Sequence, residues 1–198
     1  MTPVATGRRA RTKAANRAAL IAAARDVFGE LGFEAVAVRD IVRRTELASG
    51  TFYNYFPDKE AVFRAVVAET GAEARRRVHA ARADATDLEG FVAAGYRAYF
   101  AFIVEDPATF AFLRRNVGTL ATAGLEHVLP LGAAELEADL AALVERGSLP
   151  ALDLDYWSHA MVAVGVELGA RMAEREPPDV DGATRFATDL FLGGLRRA

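Results

Sequence analysis

Apolar residues recur along this chain at helical spacing, and no stretch alternates in the way a strand would. Leu20, Ala24, Val27, Phe28 and Leu31 fall at i, i+4, i+7, i+8 and i+11, one stripe of an amphipathic helix, and Gly32 stands where a C-terminal cap belongs. Val38, Ile41 and Val42 form a second, short apolar face, and a third short helix is expected over about Ser49 to Tyr55. Asp58, after Pro57, suits the N-cap of a fourth helix that runs to about Arg82. Residues 83–87 read as a junction. Helical stretches follow at 88–105, 107–116, 131–146, 153–175 and 180–196, punctuated by Pro107, Pro130, Pro150, Pro177 and Pro178. Residues 117–130 carry no clear pattern. The expectation is an all-α chain: a flexible basic arm over 1–13, a compact three-helix unit over 14–60, and a larger helical region over 61–198.

Composition narrows the class. With 52% hydrophobic and 26% charged residues, the 198-residue chain is globular rather than disordered. The absence of cysteine excludes disulfides and thiolate metal sites. No apolar run approaches the roughly 20 residues of a membrane span, and the N-terminus lacks the apolar stretch of a signal peptide. A cytoplasmic protein with no membrane partner is expected. The histidines, His79, His127 and His159, are far apart with no metal-ligand spacing, and there is no glycine-rich phosphate loop. Neither Ser49 nor Ser158 sits in a nucleophile elbow. The chain is therefore read as a non-enzyme, with no metal and no cofactor.

Charge is uneven. Residues 1–60 hold ten Lys and Arg against seven Asp and Glu, and the remainder holds fourteen against twenty. Arg8, Arg9, Arg11, Lys13 and Arg17 fall in the first twenty residues, with no acid among them. A basic end on an acidic body fits either a polyanion partner or a solvated tail.

The stretch "SGTFYNYFPDKEAVF" places four aromatic rings between Phe52 and Phe56. On a helix, Phe52 and Phe56 lie on one face and plug a core. Gly50 and Asn54 point away from it, Thr51 lies to one side, and Tyr53 and Tyr55 flank the outer face with free hydroxyls. Such a surface is either a helical corner with two half-buried tyrosines or a reader of the DNA major groove. In the second case Gly50 admits a close backbone approach, and Thr51, Tyr53, Asn54 and Tyr55 reach bases or phosphates. Lys59 follows at a helix start, where free N–H groups favour an anion.

The run "ALIAAARDVFGELGFEAVAVRDIVRRTELASGTFYNYFPDKEAVF" resembles the DNA-binding domain of the TetR family of bacterial transcriptional repressors. The likeness rests on Phe28, Leu31, Gly32 and Phe33, on "VRDIV", and on Gly50-Thr51-Phe52-Tyr53, Tyr55-Phe56 and Lys59-Glu60. It implies a helix-turn-helix domain followed by a ligand-binding and dimerisation domain. The implied recognition helix is about Ala48–Tyr55, with DNA contacts at Ser49, Gly50, Thr51, Tyr53, Asn54, Tyr55 and Lys59. Arg39 and Arg43, with Arg44, would meet phosphates. The chain departs from the family pattern at Val36 and Ala37, where a hydroxyl residue is usual. Glu46 replaces a turn glycine, Ala48 a serine cap, and Ser49 a common basic residue. The recognition helix has no cation of its own, so Arg8, Arg9, Arg11 and Lys13 are expected to supply much of the affinity and its salt dependence.

The resemblance also implies a homodimer on a near-palindromic operator, with a small-molecule effector that releases DNA. Dimer contacts are expected at Val162, Gly165, Val166, Gly169, Phe186, Leu190 and Phe191, residues that serve equally well as internal core. The aromatic stretch 88–113 points to a pocket formed by Phe91, Tyr96, Tyr99, Phe110, Arg114, Trp157 and His159, or to plain core. An aromatic-rich pocket would favour an apolar or aromatic effector. The alternative is a regulator without effector, whose second domain only dimerises or binds a protein.

Overall fold

The computed structural model describes residues 4–120, 129–149 and 153–195. Among them the chain is helical throughout: α1 (Val4–Leu31), α2 (Val38–Val42), α3 (Ser49–Phe52), α4 (Lys59–Arg82), α5 (Leu88–Glu105), α6 (Pro107–Arg115), α7 (Val117–Thr119), α8 (Leu129–Glu145), α9 (Leu154–Ala173) and α10 (Val180–Leu195). Residues 121–128, within the stretch that carried no pattern, lie outside the described residues. Aspartates cap the starts of α4, α5, α6 and α9. Asp58 accepts from the Ala61 N–H, Asp87 from Gly90, Asp106 from Ala108 and Thr109, and Asp153 from Tyr156. Gly32, at φ 79°, ends α1, its N–H donating to the Phe28 carbonyl at 3.0 Å. No helix among the described residues is long and apolar enough to cross a membrane.

Two apolar cores follow. The first gathers Leu20, Val27, Phe28, Ile41, Phe52, Phe56, Val62, Phe63 and Val67 with Phe112 and Leu120. It joins α1–α4 to the α6–α7 segment. The second lies among α5, α8, α9 and α10 around Val92, Tyr96, Phe100, Leu140 and Met161. Leu31, expected in the α1 stripe, is 46% exposed. Phe33, just past the cap, takes the inner place instead, with its ring 5.8 Å from Phe28 and 4.9 Å from Phe63. The expected flexible arm also differs: from Val4 onward it is the opening of α1. Its Ala- and Arg-rich composition favours that helix.

α6 ties the two cores together. The Asn116 side-chain amide donates to the Phe28 carbonyl at 3.0 Å and the Phe112 carbonyl at 2.8 Å. Its oxygen accepts from the Phe33 N–H at 2.7 Å. Arg25 of α1 reaches Asp106, the cap of α6, at 3.3 Å. The last turn of α1 and the loop after it are thus fastened to α6.

Candidate functional site

α3 is short, but its turn continues through hydrogen bonds from Asn54 to Thr51 and from Tyr55 and Phe56 to Phe52. Phe52 and Phe56 are buried, as the spacing required. Their burial turns Gly50, Tyr53 and Asn54 outward, Tyr53 to 62% exposure. Nothing in the chain lies within 4 Å of where a Gly50 Cβ would stand, so that side of α3 is open. Thr51 is half-buried. Tyr55 differs from expectation: its hydroxyl is not free but accepts from Asn16 Nδ2 of α1 at 3.2 Å. The side chains of Ser49 and Arg8 lie outside the described residues.

The departures around α2 and α3 are absorbed locally. Ala37 caps α2 without a side-chain acceptor, yet Asp40 accepts from the Ala37 N–H at 2.9 Å. Glu46 needs no left-handed backbone, since no non-glycine residue described has positive φ. Thr45 shapes the turn instead, donating to the Val42 carbonyl at 2.9 Å and accepting from the Leu47 N–H at 3.2 Å.

Lys59 is placed differently from the free phosphate contact expected of it. Its ammonium donates to the carbonyls of Phe33, Glu34 and Val36 at 3.0, 3.4 and 3.2 Å, and sits 4.5 Å from the centre of the Phe33 ring. The start of α4 lies against the α1–α2 loop, and the lysine clamps that loop. Arg44 is likewise held, by Glu30. Of the cations expected at DNA, Arg39 and Arg43 on and just after α2, and Arg9, Arg11 and Lys13 on α1, are outward. The last three lie about 4 to 11 Å along the helix axis from Asn16, the residue that touches Tyr55.

A cavity of about 160 Å³ opens between α4, α5, the α6–α7 segment, α8 and α9. Small residues border it: Gly71 and Ala74 on α4, Gly95 on α5, Gly132 on α8 and Gly165 on α9. Of the expected pocket residues, Tyr96 and Tyr99 line it. The Tyr96 hydroxyl donates to the Met161 carbonyl at 3.0 Å, and burial raises its pKa well above the ordinary range. Burial pushes Tyr99 up to about 12. The other five stand elsewhere. Phe91 is buried in the second core, and Arg114 lies over Phe110, 5.7 Å from its centre. Trp157 packs on Phe191, and exposed His159 faces Asp155 at 3.2 Å.

Three expected dimer residues, Val162, Gly165 and Val166, line this cavity. Gly169 packs inward too, where a Cβ would come within 2.6 Å of Ile103. Phe191 stacks on Tyr96 at 6.1 Å. For the α9 residues the reason is shared: α9 lies among α5, α8 and α10 and uses its glycine face within the chain. Phe186 and Leu190, one turn apart on α10, remain outward at 59% and 50% exposure.

Sequence reasoning missed Arg75 and Arg82, which α4 carries into the cavity lining. A signal was present: Val67, Gly71, Ala74, Val78 and Arg82 fall on one face of α4, with small residues at its middle.

Comparison with known proteins agrees with this geometry. Residues 20–66 match the family described as bacterial regulatory proteins, tetR family. No curated protein matches the chain by sequence. Among solved structures, a TetR-family transcriptional regulator from Pectobacterium atrosepticum is 25% identical, with a TM-score of 0.73 over 94% of this chain and 96% of that one. The fatty acid degradation regulator FadR of Bacillus halodurans shares the fold at 23% identity, with a TM-score of 0.78 over 91% and 96%. RolR in complex with resorcinol does so at 22%, with 0.68 over 94% and 90%. With its outward α3, its match over residues 20–66 and its two-domain helical fold, the chain resembles the helix-turn-helix transcriptional regulators of the TetR family.

Proposed function

We propose that the protein is a homodimeric repressor that leaves a near-palindromic operator when a small apolar or aromatic molecule occupies the cavity. Residues 14–60 read DNA and residues 61–198 regulate. Gly50, Thr51, Tyr53 and Asn54 face the major groove, and Arg39, Arg43, Arg9, Arg11 and Lys13 hold phosphates. The α10 face carrying Phe186 and Leu190 joins two copies.

One observation carries the reading. Val67, Leu113 and Leu120 line the cavity and also pack in the core around Phe28 and Phe63, which fixes α3. A molecule that displaces this shared wall moves the reading head against its partner copy. That RolR has been solved with resorcinol supports a small-molecule site in a protein of this fold.

Gly50→Glu tests the DNA-reading role, because the open space at Gly50 lets a side chain be added without a clash inside the chain. The probe is the DNA site that the wild-type protein selects from a random pool. The thermal midpoint should hold while binding weakens at least about ten-fold. Unchanged binding would remove α3 as the reader.

A further inference from the structure

We propose that the cavity's effector is a small amphipathic carboxylate, with its apolar body on the glycine and valine walls and its carboxylate between Arg75 and Arg82. That ligand chemistry presupposes the effector reading above and narrows it.

Two half-partnered guanidinium groups carry the proposal. Arg75 Nε donates to Glu135 Oε1 at 3.2 Å, and its Nη1 is buried with no hydrogen-bond partner among the described residues. Arg82 is more enclosed, its side chain only 12% exposed. Its Nη1 lies 3.9 Å from Asp139 Oδ2, and its Nε is buried and unpartnered among the described residues. The Arg82 position is built in. Its guanidinium lies over the Phe91 ring, 4.7 Å from the centre, and occupies space that Gly95 leaves free. A buried charge without a full set of partners is costly, and a ligand that supplies the missing acceptors recovers that cost on binding.

The charges around the site favour an anion over a neutral acceptor. Glu135 serves Arg75. Asp139 is shared between Arg82 at 3.9 Å and His79 at 3.6 Å and meets neither closely. Burial lowers the Arg82 pKa to about 10, offset only in part by Asp139, so its charge is poorly compensated. A carboxylate meets a guanidinium through charge-assisted, often bidentate bonds, roughly twice as strong as neutral ones. Tyr99, protonated at any working pH, adds a hydroxyl to the same lining. Size sets the apolar body. A cavity of about 150 Å³ holds benzene, so the 160 Å³ here suits one ring or a short acyl chain.

Calorimetry on the full chain with benzoate, hexanoate, benzamide and toluene tests the assignment. Benzoate and hexanoate should bind at least roughly ten-fold tighter than benzamide and toluene. Arg82→Met should erase that advantage and leave toluene binding unchanged. Arg75→Met provides the same readout should the first variant fold poorly, with thermal midpoints checked for both. If benzamide matches benzoate, or if the advantage survives both substitutions, the carboxylate assignment is overturned and the cavity stands as an effector site. If none of the four binds a protein that still binds its DNA site, the carboxylate assignment and the effector reading fall together.

Discussion

Around Phe28, the rings of Phe33, Phe63 and Phe112 form contacts with centroids 4.9 to 6.4 Å apart. In the other half of the molecule, Gly71, Ala74, Gly132 and Gly165 border a cavity of about 160 Å³. The contrast fits the roles proposed for the two regions. α3 has four helical residues and little hydrogen bonding of its own, so a filled aromatic core has to fix its position. The second region is left short of packing atoms at one place, which the proposed effector would complete. The two regions meet at Leu113 and Leu120, so completing one bears on the other.

The sharpest way to break the comparison is to truncate each region. Phe28→Ala removes a fully buried ring and should cost about 3–5 kcal/mol in urea unfolding. Val166→Ala, on the cavity wall, should cost less than about 1 kcal/mol, since its side chain already borders open space. Equal losses would mean that the second region is as tightly filled as the first. A smaller effect separates two glycines. A Cβ on Gly169 would come within 2.6 Å of Ile103 and 3.1 Å of Tyr99, so Gly169→Ala should destabilise by about 1 kcal/mol. At Gly132 the nearest atoms are 3.9 Å away, and Gly132→Ala should be neutral or stabilising.

Lys59 sharpens the comparison from the DNA side. If it clamps the α1–α2 loop, Lys59→Ala lowers the thermal midpoint by the equivalent of about 1–2 kcal/mol and leaves the salt slope of DNA binding unchanged. A phosphate contact would reduce that slope by about one. Arg43→Ala serves as the reference, because Arg43 is outward and should change the slope without changing stability.

Helix boundaries were legible because aspartate caps and prolines are local signals. Asp58 and Pro107 mark helix starts whatever the rest of the chain does. The inward turn of Phe52 and Phe56 was legible because two rings four apart on a short helix can be buried only on one side. The cavity was not, because a hollow depends on which faces meet. The stripe of Gly165 and Gly169 on α9 reads the same whether it packs on a second copy or, as here, on α5. Lys59 did carry a hint. A cation at a helix N-terminus opposes the helix dipole, and the three carbonyls it meets supply the compensation.

The smallest expected effect concerns the strap between the two regions. Burial works against the ionised Asp106 carboxylate, but hydrogen bonds from the Thr109 side chain and backbone, together with the charge of Arg25, outweigh it and hold the pKa below the ordinary value. A group lowered on folding contributes stability above its unfolded value, and that stability is lost as pH falls through the folded one. Thermal midpoints followed from neutral pH down to about pH 3 should therefore fall further for the wild type than for Asp106→Asn, which has no charge to lose. Because Asp106 caps α6 and holds Arg25 of α1 at 3.3 Å, the acid loss should appear first as exchange of the amides at the start of α6. The amides around Phe28, enclosed by rings rather than held by this pair, should stay protected. If protection fell in both places at once, the strap and the aromatic core would open as one unit, and the distinction between a closed head and an open body would not extend to their junction.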